Sequence, residues 1–483
     1  MISTRVGAPP PIPNPQNPQS TPNTRPADNQ PQPVTGEITP SAQQQPASDI
    51  PNRVFWPLLA LGLLLLFFVL PHTIEGDGKL RLDALQGWLE GRGIPDTKYP
   101  LIGSLPSIPL ILLGHVVATS EWWVSRYNVM VYAAGIGGLY LLLRGRLPND
   151  VLATFLLLLG TTAMLPNSLT GFGAETFSAM TVGAGLAAWT AGRWKTGAVL
   201  LGVGVANLPA SLVGLALAMA WWAWRVKRIR ALAPLVLSAG LWLLESALRR
   251  KSALSTGYEN DHGFQTLLPY SGLPGFSYPT FFGVLSLVFS FGKGLLFFAP
   301  GLWLVFGRGL EALRSVTQVL VLWMLYLAGM VLVYGSWWAW YGGFTWGPRF
   351  LTFASLPAAL LLAAQARRPP PALLALTVVL AALLLSVWVG IDGQTFGRFA
   401  QASCTANHYY LESFCWYVPE FSVLWTPFVF HAQLSLGDLL LIAYAVGVSA
   451  YMAYPLLRHW TVTAYRGLGL AWAAYGHRER WTL

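Results

Sequence analysis

The few charged residues of this chain fall in short polar stretches between apolar runs, and their neighbours indicate what each could do. Asp77 stands between two glycines in His72-Thr-Ile-Glu75-Gly-Asp77-Gly78, just beyond an apolar segment. A carboxylate held there on a tight turn suits a general base acting on a substrate whose other end is dissolved in lipid. The plainer reading makes Asp77 and Asp83 caps of a helix over Ala84–Glu90. That accounts for Asp83, whereas Asp77, farther upstream and flanked by glycine, reads as functional. Glu175 follows Gly171-Phe-Gly-Ala at the start of another apolar run. There it either complements a helix dipole or faces Asp77. If the two meet, they could share a divalent cation, Mg²⁺ or Mn²⁺, which oxygen ligands suit.

Arg349 ends the run Trp337-Trp338-Ala-Trp340-Tyr341-Gly342-Gly343-Phe344-Thr345-Trp346-Gly347-Pro348-Arg349. Aromatic faces stack on sugars, and glycines let a backbone approach closely. A guanidinium beside a helix N-terminus suits a phosphate. The alternative is an interfacial aromatic belt with a snorkelling arginine. Trp338, Trp340, Tyr341 and Trp346 are therefore candidate sugar or acceptor contacts. Arg249 and Arg250, in Arg249-Arg250-Lys251, form a second candidate phosphate site, in competition with simple pairing to anionic lipid heads. His262, after Asp261, is a candidate acceptor contact or part of a surface turn. Cys404 and Cys415 lie in one loop, and a disulfide is expected if that face is outside the cytoplasm. No P-loop, zincin or Rossmann motif occurs.

The elements that must position these residues are membrane helices. Of 483 residues, 54% are hydrophobic and 10% charged, and the mean hydropathy is +0.49. A soluble domain carries roughly 25% charged residues, so the composition excludes a large soluble enzyme and a disordered chain. Two cysteines exclude a disulfide scaffold. The expected fold is all-α and polytopic, with about ten spanning helices, a re-entrant helical hairpin and long outer-face loops. The expected spans are Val54–Leu70, Arg126–Leu143, Val151–Pro166, Glu175–Ala191, Ala231–Ala247, Lys293–Phe306, Ser315–Tyr334, Phe350–Gln365, Ala372–Gly390 and Leu436–Leu456. The run Thr196–Trp224 is too long for one span and is broken at Asn207-Leu208-Pro209. Basic residues on both flanks, Arg193 and Lys195 before it and Arg225 to Arg230 after it, predict a hairpin that enters and returns. A single Pro-kinked helix is the alternative.

Residues 1–52, rich in Pro and Gln, read as a disordered cytoplasmic tail. Residues 53–457 form the membrane domain, and 458–483 a basic cytoplasmic tail. The +10 formal charge then reflects topology, with Arg and Lys on the cytoplasmic side. It does not point to nucleic acid.

Four stretches resemble the GT-C superfamily of polytopic membrane glycosyltransferases, the class of protein O-mannosyltransferases and lipid A aminoarabinose transferases. They are Gly-Asp77-Gly with Tyr99-Pro100, Phe172-Gly-Ala-Glu175, Phe289-Ser-Phe-Gly-Lys293-Gly-Leu-Leu-Phe-Phe-Ala-Pro300, and Tyr341-Gly-Gly-Phe-Thr-Trp-Gly-Pro-Arg349. The chain departs from the pattern where Gly76 separates Glu75 from Asp77, and where Phe291-Gly292 stands in place of a leading Pro. The resemblance implies a hexosyl- or pentosyltransferase of the cytoplasmic membrane with its site on the outer face. It implies a polyprenyl-phosphate sugar donor and a lipid, glycan or protein acceptor. Asp77 would be the catalytic base, Arg349 the donor-phosphate ligand and Glu175 a second acid or metal ligand. A carrier or flippase of lipid-linked sugars would instead need charges within the spans, which the sequence avoids. A non-catalytic member of the same fold, acting in surface-polymer assembly, is a third reading.

Overall fold

Long apolar runs can satisfy their backbone groups in lipid only as helices or as a closed barrel, and the described residues of this chain form helices and no strands. The structure, a computed structural model, describes residues 52–93, 96–259, 261–343, 345–397, 404, 406–429 and 433–479. The tail expected over 1–52 lies outside them except for Asn52, which starts the first helix.

The longer helices are numbered in order. They are α1 (Asn52–Phe68), α2 (Gly76–Leu89), α3 (Ile108–Gly114), α4 (Tyr127–Leu143), α5 (Asn149–Leu159), α6 (Ala174–Thr190) and α7 (Trp194–Ala206). There follow α8 (Leu212–Val226), α9 (Ala233–Arg250), α10 (Thr280–Phe289), α11 (Thr317–Gly335), α12 (Ser355–Arg367), α13 (Leu373–Thr395) and α14 (Leu436–Glu479). Among the described residues, five helical stretches are long and apolar enough to cross a membrane: Ile229–Arg250, Arg314–Gly335, Arg349–Arg367, Leu373–Thr395 and Leu436–Leu468. Shorter apolar helices pack among them.

Three expectations meet different structure. The helix expected over Ala84–Glu90 begins at Gly76, so Asp77 lies in its first turn and Asp83, rather than capping it, is mid-helix and pairs with Lys79 at 2.9 Å. Lys293–Phe306 is not one helix but two short turns, Leu295–Phe298 and Pro300–Trp303. Gly292, Gly294 and Pro300 interrupt it, and the apolar helix of this region is α10 instead. At the other end of the chain, α14 runs on beyond Leu456 through Pro455 to Glu479.

The hairpin is present. α7 ends at Ala206, a short turn over Pro209–Ser211 follows, and α8 begins at Leu212. Near the start of α7, Gly197 lies against Gly185 and Trp189 of α6. Near its end, Gly204 lies against Thr181 and Val182, so α7 runs antiparallel to α6. α8 then packs on α11, with Gly214 against Tyr326 and Gly329. Small residues at both crossings let the backbones approach closely, as helix association in lipid favours.

The opposite end of the bundle gathers the basic loops. Arg146 donates to Ser315 O at 3.3 Å and to Thr190 Oγ1 at 3.4 Å. Arg368 pairs with buried Asp150 at 2.7 Å. The core between the two ends is built from α4, α5, α6, α11 and α12, whose inward-facing leucines and alanines, Leu139, Leu156, Leu186, Leu322 and Ala359 among them, are buried.

Candidate functional site

Three chain segments bring three charges to the other end of the bundle. The first is the start of α2. Thr73 N–H donates to Thr170 O at 2.9 Å, tying the segment before α2 to the turn before α6. Gly76 has φ +50°, a left-handed turn that a side chain would strain. A Cβ on Gly78 would stand 3.0 Å from Phe172 O, so α2 lies directly on the 171–173 turn. Asp77, between these glycines, is aimed into the bundle.

The second segment is that turn itself. Asn128, wholly buried on α4, donates through Nδ2 to Ser168 O, Gly171 O and Gly173 O. This clamp fixes the start of α6 and with it Glu175. The third is the glycine-rich loop before Arg349. Gly342, Gly343 and Gly347 all have positive φ. Lys293, 4% exposed, donates through Nζ to Thr345 O at 2.6 Å, Gly347 O at 3.0 Å and Gly343 O at 3.3 Å. Trp346 Nε1 donates to Asp392 Oδ2 at 2.7 Å. The loop is thereby pinned on both sides, two residues from Arg349.

Asp77, Glu175 and Arg349 converge. Arg349 Nη1 pairs with Asp77 Oδ2 at 2.9 Å, and Arg349 Nε stands 3.9 Å from Glu175 Oε1. Tyr99 donates its hydroxyl to Asp77 Oδ1 at 2.6 Å. The group lines a cavity of about 520 Å³ together with Asn167, Thr170 and Trp346. That volume lies within the range of small-molecule sites. Burial alone would raise the Asp77 carboxyl, but the Arg349 charge, the Tyr99 hydrogen bond and the Arg81 charge outweigh it and hold it below the usual carboxylate range. Burial, and then the bond to Asp77, push the Tyr99 phenol up, so Tyr99 stays a donor.

The expected shared divalent cation meets a guanidinium instead. Arg349 contacts both carboxylates where the cation was expected. Among the described residues no three His, Cys, Asp or Glu side chains stand together as a metal ligand set. These residues as arranged do not fit a metal.

Arg249 and Arg250 do not reach this cavity. Arg249 donates to Tyr99 O at 2.7 Å and to Thr97, and pairs with Glu245 at 2.9 Å. Arg250 donates to Thr97 O at 2.7 Å and Lys98 O at 3.1 Å. Both guanidinium groups are buried and hold the 97–99 segment, which carries Tyr99. Expecting them to bind phosphate overlooked how many carbonyls an irregular segment leaves to be satisfied. His262 is exposed, with Nδ1 near Gly263 O at 3.2 Å, away from the cavity.

Of the four aromatic candidates, only Trp346 lines the cavity. Trp340 is buried against Trp416, and Tyr341 stacks on Trp416 with centroids 4.0 Å apart. Trp338 packs beside Trp337 and over Gly263. Cys404 and Cys415 are joined in a disulfide.

In the sequence Tyr99 and Lys293 stand inside the stretches of resemblance and Asn207 at the break of a long apolar run, none with a role of its own, and nothing marks Asn128. Asn207, at the hairpin tip, accepts from Gly103 N–H at 2.9 Å and donates to Ser178 Oγ at 3.0 Å, linking the Tyr99 segment to α6. Its place at the break of an over-long apolar run was the available signal.

No protein-family profile matches the chain, and no curated protein does. Among solved structures it is similar to ArnT from Cupriavidus metallidurans bound to undecaprenyl phosphate, at 15% identity and TM-score 0.48, over 85% of this chain and 77% of that one. The apo state of the same protein aligns with TM-score 0.47. The apo Archaeoglobus fulgidus oligosaccharyltransferase aligns at 11% identity and TM-score 0.39, over 85% of this chain and 56% of that one.

Proposed function

We propose that the chain is a membrane glycosyltransferase that moves a sugar from a polyprenyl-phosphate donor to an acceptor hydroxyl on the non-cytoplasmic face. The observation that carries this reading is the direct pairing of Asp77 with Arg349, beside Glu175, in one cavity at a bundle end. The basic loops gathered at the opposite end support its orientation.

In the ligand-free protein Arg349 neutralises Asp77. A donor phosphate is a stronger partner for the guanidinium. As Arg349 turns to the phosphate, Asp77 loses the charge that lowers its pKa and becomes a better base. The acceptor hydroxyl gives its proton to Asp77, and its oxygen bonds to the anomeric carbon from the face opposite the phosphate. The anomeric C–O bond breaks, its electron pair leaves with the lipid phosphate, and Arg349 stabilises that charge. Configuration inverts. Tyr99 holds the second Asp77 oxygen, so the proton is taken on the oxygen that Arg349 releases. Glu175 keeps Arg349 within reach of both partners.

The test uses the purified protein in liposomes with a panel of labelled polyprenyl-phosphate sugars. Asp77→Asn is expected to lower transfer by about 10²–10⁴-fold and Arg349→Ala by about 10²–10³-fold. Transfer unchanged in both variants would remove the assignment. Lipid flipping without transfer would make the protein a carrier.

A further inference from the structure

The cavity at Asp77 has a neighbour. A second chamber of about 340 Å³ lies on the other side of Thr345 and Trp346. Glu75, Asn167, Thr170, Thr345 and Trp346 line both, so the two are parts of one hollow. The disulfide-tied cysteines Cys404 and Cys415 and the intervening Glu412 form one of its walls.

The chemistry of these walls is selective. Gln394 is 4% exposed and its Nε2 has no hydrogen-bond partner among the described residues. A buried amide left unpaired is costly unless a ligand or water completes it. Glu412 is buried as well, and Glu75 adds a second carboxylate. Lys293 is the one cation among the lining residues, and its three N–H groups are directed at the carbonyls of Gly343, Thr345 and Gly347. An incoming anion therefore meets the Glu75 carboxylate, a Glu412 carboxyl that burial pushes up to about 7 against the pull of the Lys293 charge, and a lysine whose N–H donors are already used. A sugar hydroxyl meets an amide donor, carboxylate acceptors and the side chains of Thr73 and Thr170, with Trp346 and Trp416 as apolar walls.

We infer that this chamber is a recognition subsite for an uncharged sugar unit, and that Glu75 and Glu412 make it reject anionic glycans. The inference rests on the glycosyl-transfer reading in treating the neighbouring cavity as the reaction site, but it concerns binding and is tested without turnover. The sugar can belong to the donor or to the acceptor, and the same hydroxyl chemistry serves both.

Saturation-transfer NMR on the full chain in nanodiscs provides the test. The probes are methyl glycosides of glucose, galactose and mannose, each beside its own uronate. At least one neutral glycoside should receive saturation in the wild type, with its uronate weaker by about tenfold or more. Gln394→Leu should weaken the neutral signal by about tenfold. The isosteric Gln394→Glu, which removes the amide donor without changing shape, should do the same and covers the case in which the leucine variant fails to fold. The double variant Glu75→Gln/Glu412→Gln should narrow the gap between glycoside and uronate. No saturated neutral glycoside, equal binding of uronates, or unchanged binding in both Gln394 variants would overturn the inference.

A short prenyl phosphate with and without the same sugar separates the two sources. Displacement of the glycoside only by the sugar-bearing form places the donor's sugar in the chamber, and displacement by neither places the acceptor's there. Displacement by the bare phosphate in Arg349→Ala, where the neighbouring phosphate partner is gone, would show an anion site in the chamber and overturn the proposal. Transfer lost with binding intact would remove the reaction and leave the subsite. The reverse result would remove the subsite alone.

Discussion

Asp77 carries the sharpest consequence at the level of single side chains. It is held below the usual carboxylate range although burial opposes this. Its pairing therefore contributes in full above about pH 4 and is lost only as the pH falls through the lower folded value. The acid limb of kcat/KM, which reports the free enzyme, is expected below the ordinary carboxylate range. The limb of kcat, which reports the complex, should lie at higher pH if Arg349 turns to phosphate there as proposed. Tyr99→Phe removes a donor to the carboxylate, so it should move the kcat/KM limb upward and slow transfer by about tenfold. Identical limbs in wild type and Tyr99→Phe would separate Tyr99 from the chemistry. Asp77, Glu175 and Arg349 were legible in the sequence because charges are scarce in an apolar chain and each stood beside glycine or a helix start. The role of Tyr99 was not legible, although Tyr99-Pro100 stood in a stretch of resemblance, because it depends on a bond spanning 22 residues that no spacing announces.

Among the elements, the strap from Thr97 to Gly103 does more than its irregular sequence suggests. Arg249 and Arg250 from the end of α9 satisfy its carbonyls, Glu245 accepts from Leu101 N–H at 3.1 Å, and Asn207 accepts from Gly103 N–H. Arg249→Ala leaves Glu245 with only Leu101 N–H and Arg250, whose Nη1 stands 4.0 Å away, so the loss should fall at the low end of the roughly 3–5 kcal/mol of a broken buried pair. Thermal unfolding in detergent should show that loss, and Glu245→Gln on the same background should recover part of it, because the stranded charge is gone. A double variant no more stable than Arg249→Ala would mean that the lost carbonyl bonds, not the charge, set the cost. The hairpin that supplies Asn207 was readable from the basic flanks and the Asn-Leu-Pro break. The failed span at Lys293–Phe306 shows the limit of such reading. Apolar composition there is as high as in a helix, yet Gly292, Gly294 and Pro300 turn the chain into short pieces. That places Lys293 where its Nζ can hold the Arg349 loop.

At the largest scale, the described residues form a polarised bundle with acids, tyrosines and the cavity at one end and arginine-rich turns at the other. Both cysteines are consumed by one disulfide, so an introduced cysteine is the only free thiol. Glu75→Cys and Lys227→Cys should react with a membrane-impermeant maleimide from opposite sides of sealed vesicles, Lys227→Cys from the cytoplasmic side. Labelling of both from one side would undo the orientation, and with it the placing of the reaction outside the cytoplasm. The two partners of the central ion pair also differ in what carries them. Arg349 opens a stretch buried in the bundle, whereas Asp77 rides on α2, which exposes Leu80, Trp88 and Leu89. Those side chains suit the headgroup boundary. If the site is the reaction centre proposed above, the gap between Asp77 and Arg349 should then depend partly on where the bilayer surface lies, and lateral pressure and acyl-chain length should act on it much as an effector would on a soluble enzyme.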